Sequence, residues 1–218
     1  VSRRVDLRLY VVLDEATTPP AAFADLAEAA VAGGATTIQL RDKRSGARSL
    51  IALAQAVRTR LHGRNVPVIV NDRADLALAA GADGVHLGQD DLPAAFARAI
   101  LGQDAIIGLS VTSEAEIGTV DPALVDHVGL GPIFPTDTKP DAAPALGPER
   151  FAAIRRLLAL PVVAIGGIDH ANAAQAIRAG ADGVAVVSAV ARAADPIAAA
   201  RALMVEIERA GRESGRHR

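Results

Sequence analysis

Residues 66–91 read VPVIVNDRADLALAAGADGVHLGQDD. An apolar, β-branched run, Val66 to Val70, stops on Asn71-Asp72; a stretch rich in alanine and leucine follows; and a second strand-like run, Gly84 to Leu87, leads to Gln89-Asp90-Asp91. Neither run alternates polar with apolar residues, the mark of strands covered on both faces, and such strands separated by a helix pair in parallel. A buried strand needs no carboxylate at its end. Asp72 and Asp91 therefore read as residues placed for chemistry.

The same unit recurs along the chain. Strands are expected at Leu9–Leu13, Thr36–Leu40, Val66–Val70, Gly84–Leu87, Ala105–Leu109, His127–Leu130, Val162–Ile165 and Val184–Val187, each followed by a potentially helical stretch. Eight parallel strands close most simply into an α/β fold of the (βα)8 TIM-barrel type, one domain over residues 1–218 with a frayed, solvated tail from about residue 209. The sequence AGADGV at 80–85 returns at 179–184, and Val66-Pro67-Val68 is echoed by Leu160-Pro161-Val162. Glycine past a helix end supplies a left-handed cap and Asp-Gly turns the chain, so Asp83 and Asp182 are expected as turn residues at the bottom of the barrel. An open, doubly wound sheet binding a dinucleotide would carry a glycine fingerprint after its first strand; here that strand ends Leu13-Asp14-Glu15-Ala16.

Composition removes several classes of function. The chain has 25 acidic and 23 basic residues, which argues against nucleic acid or an anionic membrane as main partner. It has no cysteine, which excludes a disulfide scaffold, a thiol nucleophile and cysteine-ligated metals. No apolar run reaches the roughly 18 residues of a membrane span, and Val1 to Asp6 lacks the apolar segment of a signal peptide. A cytoplasmic protein is expected, with no membrane or nucleic-acid partner and with room for a homo-oligomer.

In barrels of this kind the working face is built beyond the carboxyl ends of the strands. Those positions hold Gln39, Arg41 and Lys43; Asn71 and Asp72; Gln89, Asp90 and Asp91; Ser110 and Thr112; Thr136, Thr138 and Lys139; Gly166 and Gly167; and Ser188. The turn after strand seven brings backbone N–H groups to the mouth beside Val187-Ser188, the usual phosphate site of the fold, although Gly-Gly also serves as a plain tight turn. Gln39, Arg41 and Lys43 share a side while the chain stays extended and suit a polyanion; the alternative is a solvated loop charge pairing with Asp42. Phe134 to Asp141 reads as a mobile loop that could close over a ligand. Asp72 and Asp91 follow adjacent strands, and hard oxygen ligands beside a polyanion site suit Mg²⁺. A general acid and base pair, or Asp72 as a helix cap, are the alternatives. Asp90 is expected to face outward and His86 to be packed within its strand, close to Asp91. His127 is placed at the bottom end of strand six, His62, His170 and His217 on the surface, and the basic tail reads as a solvated terminus.

Taken together, QLRDK at 39–43, VNDR at 70–73, GVHLGQDD at 84–91, GLS at 108–110, GPIFPTDTK at 131–139, AIGGI at 164–168 and VVS at 186–188 resemble the thiamine phosphate synthase family, from about Leu9 to Leu203. The resemblance implies a transferase that displaces diphosphate from an aminopyrimidine diphosphate by the nitrogen of a thiazole phosphate, along a dissociative path. It implies diphosphate contacts from Gln39, Arg41, Lys43, Asn71, Ser110 and Lys139, and Mg²⁺ on Asp72 and Asp91. It implies thiazole phosphate contacts from Thr136, Thr138, Gly167, Val187 and Ser188. Arg41, Lys43 and Lys139 would then stabilise the departing charge, and Ser110 would orient the substrate. A related thiazole tautomerase family uses a histidine after strand six, where this chain has Gly131-Pro132-Ile133. A barrel that binds a phosphorylated ligand without turning it over is a further alternative.

Overall fold

The computed structural model describes residues 5–138 and 143–215. Lys139, the tip of the loop expected to close over a ligand, and His217 lie outside them. Eight strands, β1 (Leu9–Asp14), β2 (Thr37–Arg41), β3 (Val68–Asn71), β4 (Gly84–Leu87), β5 (Ile106–Val111), β6 (His127–Leu130), β7 (Val162–Ile165) and β8 (Gly183–Val186), pair in parallel in sequence order, and β8 returns to β1 to close the barrel. Around it lie α1 (Phe23–Ala32), α2 (Ala47–Arg60), α3 (Ala74–Ala80), α4 (Ala94–Leu101), α5 (Gly147–Leu157), α6 (Ala173–Arg178), α7 (Ser188–Ala191) and α8 (Pro196–Glu213).

Two details depart from a regular repeat of strand and helix. Between β5 and β6 a 3₁₀ segment, Glu114–Thr119, stands where a helix is expected. Gly118, Thr119 and Val120 are poor helix formers, and Glu116 folds back to accept from the Thr112 N–H and hydroxyl, both at 2.7 Å, which closes the turn early. At the other end, α8 continues to Glu213, past residue 209 where the sequence suggests fraying. Ile207 and Ala210 are buried, and Arg178 from α6 holds Glu213 at 2.8 Å, so the last turn has something to pack against.

Strand side chains alternate between two cores. Leu9, Val11 and Leu13 of β1, with Ile38 and Leu40 of β2, face the helices in the larger layer. Tyr10, Val12, Ile69, Ile106, Val163 and Ala185 fill the barrel interior. This period of two sends Asp14, Gln39, Arg41, Asn71, His86 and Ser110 inward or upward at the carboxyl ends.

The opposite end is stapled by a repeated device. The side chain just before each even-numbered strand accepts an N–H at the start of the preceding odd strand: Thr36 for Leu9 (3.1 Å), Asp83 for Val68 (2.9 Å), Asp126 for Ile107 (2.8 Å) and Asp182 for Val162 (2.8 Å). Arg98 and Arg155 hold Asp126 and Asp182 in turn, at 2.8 and 2.9 Å. Asp83 and Asp182 are thus the bottom-end turn residues expected, and each satisfies a strand N–H that would otherwise be buried without a partner.

Candidate active site

One cavity of about 250 Å³ opens at the carboxyl ends of the strands, and Gln39, Arg41, Lys43, Asn71, Asp72, Asp91, Ser110, Thr136, Thr138, Gly167, Val187 and Ser188 all line it. These candidates, with Thr112 and Gly166, are therefore brought to one place, whereas Gln89 is exposed and outside the lining. Asp90 is exposed and stands apart from it, as do His62 and His170.

On one side stand the charges. Arg41 and Lys43 do not pair with Asp42, whose carboxylate turns away to accept the N–H groups of Arg44 and Ser45 at 3.0 and 2.9 Å. Arg41 Nη1 instead donates to Asp14 Oδ2 at 2.7 Å, and Lys43 Nζ lies 3.0 Å from Asp72 Oδ2. Asp14 went unnoticed in the sequence as a site residue. Its signal was the inward phase of β1, which carries Tyr10, Val12 and Asp14 on one side.

Asp72 adopts a left-handed backbone conformation (φ 63°), uncommon outside glycine, and its N–H donates to the His86 carbonyl at 2.8 Å. A residue held there is determined by its surroundings, and the conformation turns the carboxylate toward the mouth and Asp91. Asp91 Oδ2 in turn accepts from the Gly88 N–H at 2.6 Å. Burial and the hydrogen-bonded carboxyl of Asp91 raise the pKa of Asp72, and Lys43 offsets this only in part. Two carboxylates set side by side with a single ammonium are a donor set that suits a hard cation. Among the described residues no group of three or more His, Cys, Asp or Glu forms a metal cage, so such an ion would take its remaining ligands from phosphate and water.

Across the cavity, Gly166 and Gly167 both have positive φ (99° and 63°). A Cβ on Gly167 would stand 2.2 Å from the Pro135 carbonyl, so only glycine lets the β6 and β7 loops meet. Thr138 Oγ1 lies 3.3 Å from Ser188 Oγ, which opens α7. Hydroxyls and backbone N–H groups, with no carboxylate among the described residues that line this side, suit a phosphate.

Between the two sides, Ser110 Oγ lies 2.9 Å from His86 Nε2, and Gln89 Nε2 donates to the Ser110 carbonyl at 2.7 Å. Below the mouth the sequence reading was incomplete. His127 opens β6 at its bottom end as expected, but it is 1% exposed and turns into the barrel, with its ring 5.6 Å from the His86 ring and 5.9 Å from that of Tyr10. Burial lowers the pKa of His86 to about 4 and of His127 to about 3, so both rings are neutral at pH 7.

These features are shared with known proteins. The profile described as thiamine monophosphate synthase matches residues 9–190. The thiamine-phosphate synthase of Azorhizobium caulinodans is 50% identical over 203 residues, covering 93% of this chain and 96% of that protein. That of Chloroflexus aurantiacus is 49% identical over 205 residues, covering 93% and 94%. Among solved structures, thiamine phosphate pyrophosphorylase from Pyrococcus furiosus superposes with a TM-score of 0.85 at 36% identity, over 95% of this chain and 98% of that one. A 3-hexulose-6-phosphate synthase shares the barrel alone, at 20% identity and a TM-score of 0.68. With full-length identity near one half and a mouth that carries acidic, basic and glycine-lined sides in one cavity, the chain belongs to the thiamine monophosphate synthase family.

Proposed function

We propose that the protein is a thiamine-phosphate synthase that joins 4-amino-2-methyl-5-hydroxymethylpyrimidine diphosphate to (carboxy)thiazole phosphate and releases diphosphate, with CO₂ when the thiazole carries its carboxylate. One observation carries this reading: the charged side of the mouth and its glycine-lined side, on which no described lining residue is a carboxylate, face each other across a single cavity. That is the arrangement needed to hold a diphosphate and a monophosphate with their rings between them.

Arg41 and Lys43 would bind the diphosphate, with Asn71 and Gln39 beside them, and their charges would stabilise the negative charge that builds as it departs. Lys139 would join them from the loop after β6. Ser110 would orient the substrate by its hydroxyl. Gly167, Val187, Ser188, Thr136 and Thr138 would hold the thiazole phosphate so that its ring nitrogen faces the pyrimidine methylene. Asp72 and Asp91 would hold Mg²⁺, which when bound neutralises diphosphate oxygens. No protein nucleophile is needed.

No helix among the described residues is long and apolar enough to cross a membrane. Small-molecule substrates and a cytoplasmic location go with the reading. The test is diphosphate release with both substrates, with each omitted, and with and without Mg²⁺. Release that requires both substrates and the metal is the expected result. Aromatisation of a thiazole without diphosphate release would favour the tautomerase chemistry, and ligand binding without turnover a carrier.

A further inference from the structure

Beneath the mouth lies a second, smaller chamber of about 40 Å³, lined by Tyr10, Gln39, His86, Ser110 and His127 among apolar residues. Its polar atoms are unusual in having so few partners. Among the described residues, His86 Nδ1 and both ring nitrogens of His127 are buried without a hydrogen bond. Buried polar atoms of this kind call for an explanation.

Their placement supplies one. A Cβ on Gly108 would stand 2.3 Å from His86 Nδ1 and 2.5 Å from His127 Nε2, so the two nitrogens converge over the same glycine. Gly129 does the same for the outer part of the His86 ring, whose Cε1 and Nε2 lie 3.0 and 3.3 Å from a Cβ there. Two neutral imidazoles whose nitrogens converge are complementary when one carries a proton and the other does not. At the inner end, Tyr10 Oη accepts from Gln39 Nε2 at 3.2 Å, which leaves the phenol's own proton to give. At the outer end, His86 Nε2 meets Ser110 Oγ. The chamber exceeds the roughly 10–15 Å³ that one ordered water requires, and it has polar walls for one between Tyr10 and His127.

We propose that His127 is a positioning residue that acts through His86 on the Ser110 hydroxyl. Hydrogen bonds run outward in one direction, with water bridging the nitrogens that lack a direct partner: Tyr10 O–H, through water, to His127 Nδ1; His127 Nε2–H, through water, to His86 Nδ1; and His86 Nε2–H directly to Ser110 Oγ. The Ser110 O–H is thereby left to donate into the mouth. Under the synthase reading, on which this part of the inference rests, its acceptor is the substrate diphosphate.

The polarity of the chain is directly measurable. In ¹⁵N-histidine-labelled wild-type protein, long-range ¹H–¹⁵N spectra, assigned with single-histidine variants, should show both His86 and His127 as Nε2–H tautomers. An Nδ1–H tautomer at His86, or a rapid mixture, overturns the chain whether or not the enzyme turns over. His127→Leu should let His86 change tautomer and lower kcat about tenfold, the loss expected for one oriented hydrogen bond, with KM for both substrates unchanged. His127→Gln, whose amide N–H reaches where Nε2–H stood, should restore kcat to within about twofold. Wild-type kcat in both variants, or an equal fall in both with the His86 tautomer unchanged, overturns the positioning role. If His127→Leu does not fold, the wild-type spectrum and His127→Gln still decide. If wild-type protein releases no diphosphate, the synthase reading fails while the tautomers still test the chain.

Discussion

Asp14 and Arg41 stand opposite one another at the carboxyl ends of β1 and β2, and the carboxylate of the first receives the guanidinium of the second at 2.7 Å. Asp14 also accepts the Ala16 N–H at 2.8 Å, so it is itself fixed. Arg41 is thus oriented before any substrate arrives, which lowers the cost of ordering it on binding. Asp14→Asn keeps the shape and removes the charge. We expect kcat/KM for the pyrimidine diphosphate to fall about tenfold, in line with the loss of one charge-assisted hydrogen bond. Steady-state kinetics check it, and an unchanged value would mean that Arg41 is held by other means.

The acidic pair gives a prediction in two directions. Burial and the Asp91 carboxyl both disfavour the ionised form of Asp72, so the folded protein carries a repulsion that an amide would remove. Asp72→Asn is also tolerated at left-handed φ. In metal-free buffer Asp72→Asn and Asp91→Asn should each raise Tm, by about 2 °C, and turnover should fall about a hundredfold with its Mg²⁺ dependence weakened. Near-normal, metal-dependent rates in both variants would remove these residues from the metal site.

Much of this was legible in the sequence because barrels repeat. Uniformly apolar runs such as VPVIV at 66–70 and VVAI at 162–165 can only be strands buried on two faces, and counting them gave the fold. Placement at strand ends then found Asp72, Asp91 and Ser110. What stayed hidden depended on the phase of side chains within strands and on packing between distant ones. Asp14 lies on a strand whose polar end looked like the start of a loop. His127 sits low in β6, and only its contacts with Tyr10 and His86 reveal that it turns inward. The 3₁₀ segment 114–119 was missed because, beyond the single Gly118, it is the Glu116 side chain that closes the turn, a contact that only the fold reveals.

The buried state of His127 sets a pH dependence of stability. Its pKa is about 3 in the fold against about 6.5 unfolded, so the unfolded chain takes up the proton first. Its contribution is therefore intact above about pH 6.5 and is lost as pH falls, by about 2 kcal/mol at pH 5. Denaturant titrations at pH 7 and pH 5 should show that loss, and His127→Gln should shrink it by a similar amount. An equal loss in both proteins would assign it to other groups.

Gly167→Ala places a methyl group 2.2 Å from the Pro135 carbonyl at a backbone angle that alanine resists. We expect KM for the thiazole phosphate to rise at least about tenfold and stability to fall by about 1–3 kcal/mol. Selective loss of pyrimidine diphosphate binding instead would exchange the two sides of the mouth. Lys139→Ala should lower kcat about tenfold or more while leaving KM for the thiazole phosphate within about twofold. Loss of affinity with kcat intact would make it an anchor only.

At the far end of the barrel, Asp126→Ala would leave Arg98, nearly buried at 7% side-chain exposure, and the Ile107 N–H without this partner. A fall of about 3–5 kcal/mol in stability is expected, with kcat per folded molecule unchanged. Chemical denaturation and active-site titration separate the two quantities.

The four staples at that end join β1 to β2, β3 to β4, β5 to β6 and β7 to β8, and never β2 to β3 or β4 to β5. The barrel's grammar is therefore binary: its words are pairs of strands, and the spaces between words fall at the lower loops near residues 62–65, 102–104 and 158–161. New termini or an inserted domain at those spaces leave every staple intact. The same cut beside Thr36, Asp83, Asp126 or Asp182 would strip a strand of its first hydrogen-bond acceptor, so the chain should accept circular permutation with a period of two strands rather than one.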